Sequence, residues 1–152
     1  MVRNCHLGVN LAGTATLPNG GSDLGLCAAH YNTIGGSGAA TRNLIGCGGT
    51  PTHYGIEVSR SLSNTISGNY IGLRGTGGSA LGTGGIGVGL VGDLSGQSTS
   101  NVVGGDTAAE RNLFGGLYTG AKIVHGDANA VQGNHFGLAA GGTARTVVPV
   151  TL

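Results

Sequence analysis

Two groups of residues in this chain have side chains that do chemistry. Asp106, Glu110 and Arg111 lie in one short stretch, where two carboxyls beside a cation could act as acid, base and counter-charge on a glycosidic bond. Cys27, His30, Cys47 and His53 supply thiols and imidazoles, which ligate zinc or pair as nucleophile and base. Neither set has a diagnostic spacing. Cys-x2-His followed by Cys-x5-His matches no tight zinc pattern, and a loop that carries both signs of charge is ordinarily a solvated, self-neutralised surface. The remaining acids, Asp23, Glu57, Asp93 and Asp127, fall in different segments. The glycine strings Gly75-Thr76-Gly77-Gly78 and Gly82-Thr83-Gly84-Gly85 lack the Lys-Ser/Thr of a phosphate loop and read as turns. No cofactor is expected on these grounds; zinc or calcium are the ions that the residue types would take.

The elements that must position these residues are marked by asparagine. Asn32, Asn64, Asn101 and Asn129 form one column and Asn43, Asn69, Asn112 and Asn134 a second, each followed by apolar residues such as Thr33-Ile34 or Leu44-Ile45. A third element has alternating apolar residues: Leu24-Gly25-Leu26, Ile56-Glu57-Val58, Val88-Gly89-Leu90, Ala121-Lys122-Ile123 and Val148-Pro149-Val150. Period two predicts strands with one buried face, and the beat of about 32 residues predicts a stacked repeat. Three short strands per repeat, joined by turns too short for crossover helices, imply a parallel β-helix of about five coils. Aligned columns follow: Val2, Ile34, Ile66, Val103 and Val131 in one, Leu7, Ile45, Ile71, Phe114 and Phe136 in another. Cys5 stands where the second asparagine column begins, and Cys47 shares an inward position with Val9, Leu73 and Leu138. His6, Leu44, Tyr70, Leu113 and His135 share an outward position; the two histidines, four rungs apart at roughly 4.8 Å each, cannot hold one ion. Stacked asparagines are expected to hydrogen-bond to one another at inward-facing turns.

Composition fits this reading. The chain has 152 residues, 34 of them glycine, no tryptophan and 9% charged residues, so it forms one domain whose core comes from Val, Ile and Leu. A net charge of +1 without a basic run offers nothing to a phosphate backbone, so nucleic acid is not an expected partner. No apolar stretch reaches the length of a membrane helix, and Met1-Val2-Arg3-Asn4 lacks signal-peptide order. Three cysteines, all in the first third, do not make a disulfide framework. The small outward residues Thr33, Thr65, Gly35, Ser67, Gly104 and Gln132 suggest a flat surface, but its threonine column ends after two coils and it lacks aromatic platforms for sugars.

The segments Asn32-Thr33-Ile34-Gly35-Gly36, Arg42-Asn43-Leu44-Ile45, Asn64 through Gly72 and the loop Gly13 through Gly21 resemble repeats of large secreted bacterial proteins with right-handed parallel β-helices, similar in fold to the pectin-lyase-like group. The resemblance spans essentially the whole chain. It implies an all-β solenoid, right-handed winding and an extracellular or cell-surface location, and it leaves chemistry open because that scaffold carries lyases, hydrolases, adhesins and stalks. Enzymes of the group hold calcium on clustered Asp with an Arg or Lys base, and no such residue set maps onto this chain. The outward column Gly25, Glu57, Gly89, Lys122, Pro149 places no two carboxylates on neighbouring coils. Neither end looks capped, so the expectation is a structural module that associates with itself end to end through its exposed edges. A polysaccharide lyase, hydrolase or binding module near Asp106, Glu110 and Arg111 is the alternative, and a metal- or cysteine-dependent hydrolase at Cys27, His30, Cys47 and His53 the second.

Overall fold

A computed structural model describes residues 1–81 and 84–137; Leu138 and the Val148-Pro149-Val150 segment lie outside the described residues. The chain is all-β. One sheet takes β2 (Leu24–Cys27), β5 (Tyr54–Ser59), β8 (Ile86–Val91) and β12 (Thr119–Val124). A second takes β3 (Thr33–Gly35), β6 (Thr65–Ser67), β10 (Val102–Gly104) and β14 (Ala130–Gln132). The third takes β1 (His6–Leu7), β4 (Leu44–Ile45), β7 (Tyr70–Ile71), β11 (Leu113–Phe114) and β15 (His135–Phe136). Every pairing within these sheets is parallel, and the chain visits them in turn before returning to the first one rung further on. Such stacked parallel sheets are compatible with a β-solenoid.

The register is the one that the apolar columns dictate. Leu24 pairs with Ile56, Ile56 with Val88 and Val88 with Ala121; Val2 with Ile34, Ile34 with Ile66, Ile66 with Val103 and Val103 with Val131. A slip of one residue would turn each aliphatic to the outside, so burial enforces alignment. Ile34, Ile45, Ile56, Val58, Ile66, Ile71, Val88, Val103 and Phe114 are completely inaccessible and form one continuous core. Burying each such side chain contributes roughly 1.5–3 kcal/mol. Outside the first sheet, the Tyr54 ring lies over Gly89, where a Cβ would fall 2.3 Å from a ring carbon.

Both asparagine columns are hydrogen-bonded ladders. The amide nitrogen of Asn32 donates to the Asn64 oxygen at 3.2 Å, Asn64 to Asn101 at 2.9 Å and Asn101 to Asn129 at 3.0 Å. In the second column Asn43 donates to Asn69 at 2.9 Å, Asn69 to Asn112 at 3.0 Å and Asn112 to Asn134 at 3.0 Å. Each accepting oxygen also takes the backbone N–H of the preceding rung, and Cys5 contributes that N–H to Asn43 at 3.0 Å. The turns leave backbone groups facing the interior without strand partners, and a carboxamide stack satisfies donor and acceptor together. Just before the first column, Tyr31, Ser63, Ser100 and Ala128 adopt left-handed backbone with φ of 53–58°.

Four features differ from the expectation. A fourth parallel pair, β9 (Ser98–Thr99) with β13 (Gly126–Asp127), precedes the first asparagine column, and the Ser61 and Ser98 hydroxyls begin a short ladder there. Cys47 enters the main core, whereas Val9 and Leu73, at the same register, join Leu44, Tyr70 and Leu113 in a second apolar group on the far side of the third sheet. Leu44, Tyr70 and Leu113 are outward in register yet buried, because the short antiparallel contacts Val9–Thr16 and Leu73–Ala80 fold loops back toward that face. Ser67, expected on a flat outer surface, is also buried.

Candidate functional site

The connectors from the second sheet to the third alternate in length. Residues 36–43 and 105–112 are long, whereas 68–69 and 133–134 are two-residue turns. The tight turns require glycine: Gly68 and Gly133 have φ of 68° and 65°, and a Cβ at either would meet a carbonyl oxygen of the preceding rung at 2.0 or 2.1 Å. Two bulky loops with a tight turn between them leave a notch over Tyr70. Its lining is Arg42 and Arg111 from the long loops, Ala108, Tyr70, Leu113 and His135, around a cavity of about 240 Å³.

Each arginine is the residue just before a ladder asparagine, so the ladder fixes where its side chain starts. The Arg42 guanidinium stacks 4.1 Å from the centre of the Tyr70 ring, and its Nε donates to the Gly68 carbonyl at 3.3 Å. Arg111 Nε donates to the Gly133 carbonyl at 2.8 Å. Among the described residues neither guanidinium has a carboxylate partner. His135 Nδ1 is buried without a hydrogen-bond partner, and burial together with the Arg111 charge pushes its imidazole below the ordinary histidine range.

Of the nominated acids, neither lines this notch. Glu110 Oε2 accepts from the Thr107 N–H at 3.1 Å and its hydroxyl at 2.8 Å, which holds this exposed carboxyl below the usual range. A general acid for glycoside cleavage needs the opposite shift. Asp106 Oδ1 accepts from the Gln132 amide at 3.0 Å. Arg111 therefore faces the notch, while Glu110 ties down its own loop and Asp106 bonds across to β14.

Cys27 and His30 are engaged separately, whereas the Cys47 backbone and the His53 ring meet on Asp23. Cys27 Sγ accepts from Arg60 Nη2 at 3.2 Å, and His30 Nδ1 accepts from the Leu62 N–H at 3.1 Å. His53 Nε2 lies 3.3 Å from Asp23 Oδ1, and Asp23 also accepts from the Cys47 N–H at 2.8 Å and the Asn19 amide at 3.0 Å. The Asp23 side chain is completely buried, so this group clasps the loops around residues 19–23 and 47–53 together. Beside it lies a polar cleft of about 260 Å³ lined by Ser22, Thr50, Thr52, His53, Tyr54 and Glu57 among others. Its Ser22 hydroxyl donates to Glu57 at 2.6 Å and is not presented to His53 as a nucleophile. Among the described residues no group of three His, Cys, Asp or Glu side chains converges as metal ligands.

Cys47 donates its thiol proton to the Ile86 carbonyl at 3.0 Å. Burial, and secondarily the Asp23 charge, push that thiol up to about 12 from 9.0, so at neutral pH it is a core hydrophobe rather than a thiolate ligand. A raised folded-state value means stability that is complete below pH 9 and is lost as pH climbs toward 12. The unfolding free energy from urea titrations is expected to fall by about 1.4 kcal/mol per pH unit in that window, and Cys47→Ala should flatten the slope. An equal slope in both proteins would remove Cys47 as the cause.

The sequence offered one signal for the notch that composition obscured: Arg precedes Asn in Arg42-Asn43 and Arg111-Asn112, the rungs with long connectors. Tyr70 and His135 were visible only as outward positions, and Asp23 carried no periodic mark. No protein-family model, no curated protein and no solved structure matches this chain.

Proposed function

We propose that the chain is a non-enzymatic structural module: about five coils of a right-handed parallel β-helix of the pectin-lyase-like kind, belonging to an extracellular or surface protein and associating end to end. The carrying observation is the repeat itself: the apolar columns and both asparagine ladders stack without a break from rung to rung, and the nominated acids Asp106 and Glu110 are separately engaged by Gln132 and Thr107. A stack of parallel rungs grows by adding a further rung to an edge strand.

Light scattering on the 152-residue chain is expected to show mass rising with concentration, and Leu24→Lys to abolish the rise without lowering the denaturation midpoint. A single-chain mass at every concentration overturns the association. Turnover of any polysaccharide that is lost in Glu110→Gln, or stoichiometric zinc or calcium in protein purified without an affinity tag, overturns the non-enzymatic, metal-free reading.

A further inference from the structure

The clasp on Asp23 includes Asn19, and of all the asparagines in the chain only Asn19 is followed by glycine, Gly20. We propose that Asn19-Gly20 is a self-modification site, at which Asn19 becomes aspartate or isoaspartate and so loosens the clasp. The chemistry is intramolecular. The Gly20 backbone nitrogen attacks Asn19 Cγ and forms a C–N bond; its proton passes to solvent, and Nδ2 leaves as ammonia. Water then opens the cyclic imide: opening at Cγ gives aspartate, and opening at the backbone carbonyl gives isoaspartate. Water is the only co-reactant, and nothing is oxidised or reduced.

The surroundings single out this asparagine. Asn19, Gly20 and Gly21 are exposed, and no atom lies within 4 Å of the place where a Gly20 Cβ would stand, so the nitrogen is free to swing onto Cγ. Among the described residues the Gly20 N–H donates no hydrogen bond. In the ladders the corresponding nitrogen is tied: Thr65, Val102 and Ala130, like Leu44, Tyr70, Leu113 and His135, donate their N–H to a carbonyl of the neighbouring rung. Asn43, Asn64, Asn69, Asn101 and Asn112 are also completely buried, away from the water that the second step consumes.

The consequence falls on Asp23. Asn19 Nδ2 donates to Asp23 Oδ1 at 3.0 Å, and the Asp23 side chain is completely buried, held also by the Cys47 N–H and His53. Conversion removes one donor and sets a second carboxylate against the first. Asp23 has no room to withdraw toward Gly8, where a Cβ would fall 2.3 Å from its Oδ1, so the exposed segment at 19–22 gives way instead. Gly20, Gly21 and Ser22 line the polar cleft of about 260 Å³, which therefore loosens as the molecule ages.

Fragmentation mass spectrometry of the 152-residue chain, aged in mildly alkaline buffer, tests the first part. Asn19 is expected to convert while the ladder asparagines stay intact, and Gly20→Ala, which the open space accommodates, should slow conversion roughly tenfold or more. Urea titration and amide hydrogen exchange test the second. Asn19→Asp should lower the midpoint and speed exchange at 19–22 by more than Asn19→Ala, which removes the hydrogen bond without adding a charge. Ladder asparagines converting first, an unchanged rate in Gly20→Ala, or equal midpoints and exchange for Asn19→Asp and Asn19→Ala would each overturn the assignment.

Discussion

Asn69→Ala is expected to leave the chain largely unfolded at room temperature. Asn69 is completely buried; its amide nitrogen donates to Ile34 O, Ser67 O and Asn112 Oδ1, each at 3.0 Å, while its oxygen accepts from Asn43 N and Nδ2. Alanine strands two donors on Asn43 and the Ile34 carbonyl in the interior. Each buried unsatisfied group costs about 1–3 kcal/mol, and three of them together approach the about 5–15 kcal/mol that holds a whole domain. Asn69→Asp keeps the volume and the acceptor but loses the donors and buries a charge, so it should fail as badly; that outcome separates hydrogen bonding from packing. Asn32→Ala is the contrasting case. Among the described residues no hydrogen bond ends on the Asn32 side-chain oxygen, and its amide only donates, to His30 O and Asn64 Oδ1, so its loss is expected to cost about 1 kcal/mol. Circular dichroism through a urea series checks all three, and equal midpoints for Asn69→Ala and Asn32→Ala would refute the ladder account.

Phe114→Ala should be the next most damaging single change, at about 3–5 kcal/mol. Phe114 is the largest side chain with no exposure at all; it stacks on Phe136 with ring centres 4.6 Å apart and planes 14° apart. That separation is the rung spacing of a parallel sheet, so the aromatic pair continues the aliphatic column above it. The ring fits because Gly87 faces it: a Cβ there would sit 2.7 Å from Phe114 Cδ1 and 2.5 Å from the Gly120 carbonyl. Phe114→Leu, which leaves a smaller void, should cost clearly less, and Gly87→Ala should destabilise through overpacking. A Phe114→Ala protein with an unchanged urea midpoint would show that the lower rungs are loosely packed.

Whatever repeats was legible in the sequence, and whatever does not repeat was not. Ile34, Ile66 and Val103 announce their own register because stacking puts like over like, and the asparagines announce theirs because a carboxamide satisfies its neighbour. Tyr70 shows the limit: period two sends it outward, yet loops from Val9 and Leu73 close over that face and bury it. Connector length decides where such loops lie, and it has no period. The same reason hides Asp23 and His53, which lie in connectors 30 residues apart in sequence and meet at 3.3 Å. Of the nominated chemistry Arg111 and His53 reach cavities, and different ones, because spacing alone cannot distinguish a side chain that caps its own turn, as Glu110 does, from one that faces outward.

The amide ladders give the stack a polarity. Backbone bonds between parallel strands run both ways, as when Val2 N donates to Thr33 O while Gly35 N donates back to Val2 O, so their dipoles nearly cancel. The amide-to-amide bonds all run from earlier rung to later, while the same nitrogens also donate back to carbonyls of the earlier rung, as Asn64 does to Ala29 O and Asn69 to Ile34 O. An asparagine lost from one rung therefore strands the backbone and amide donors of the rung before it, so damage to the ladder travels toward earlier rungs.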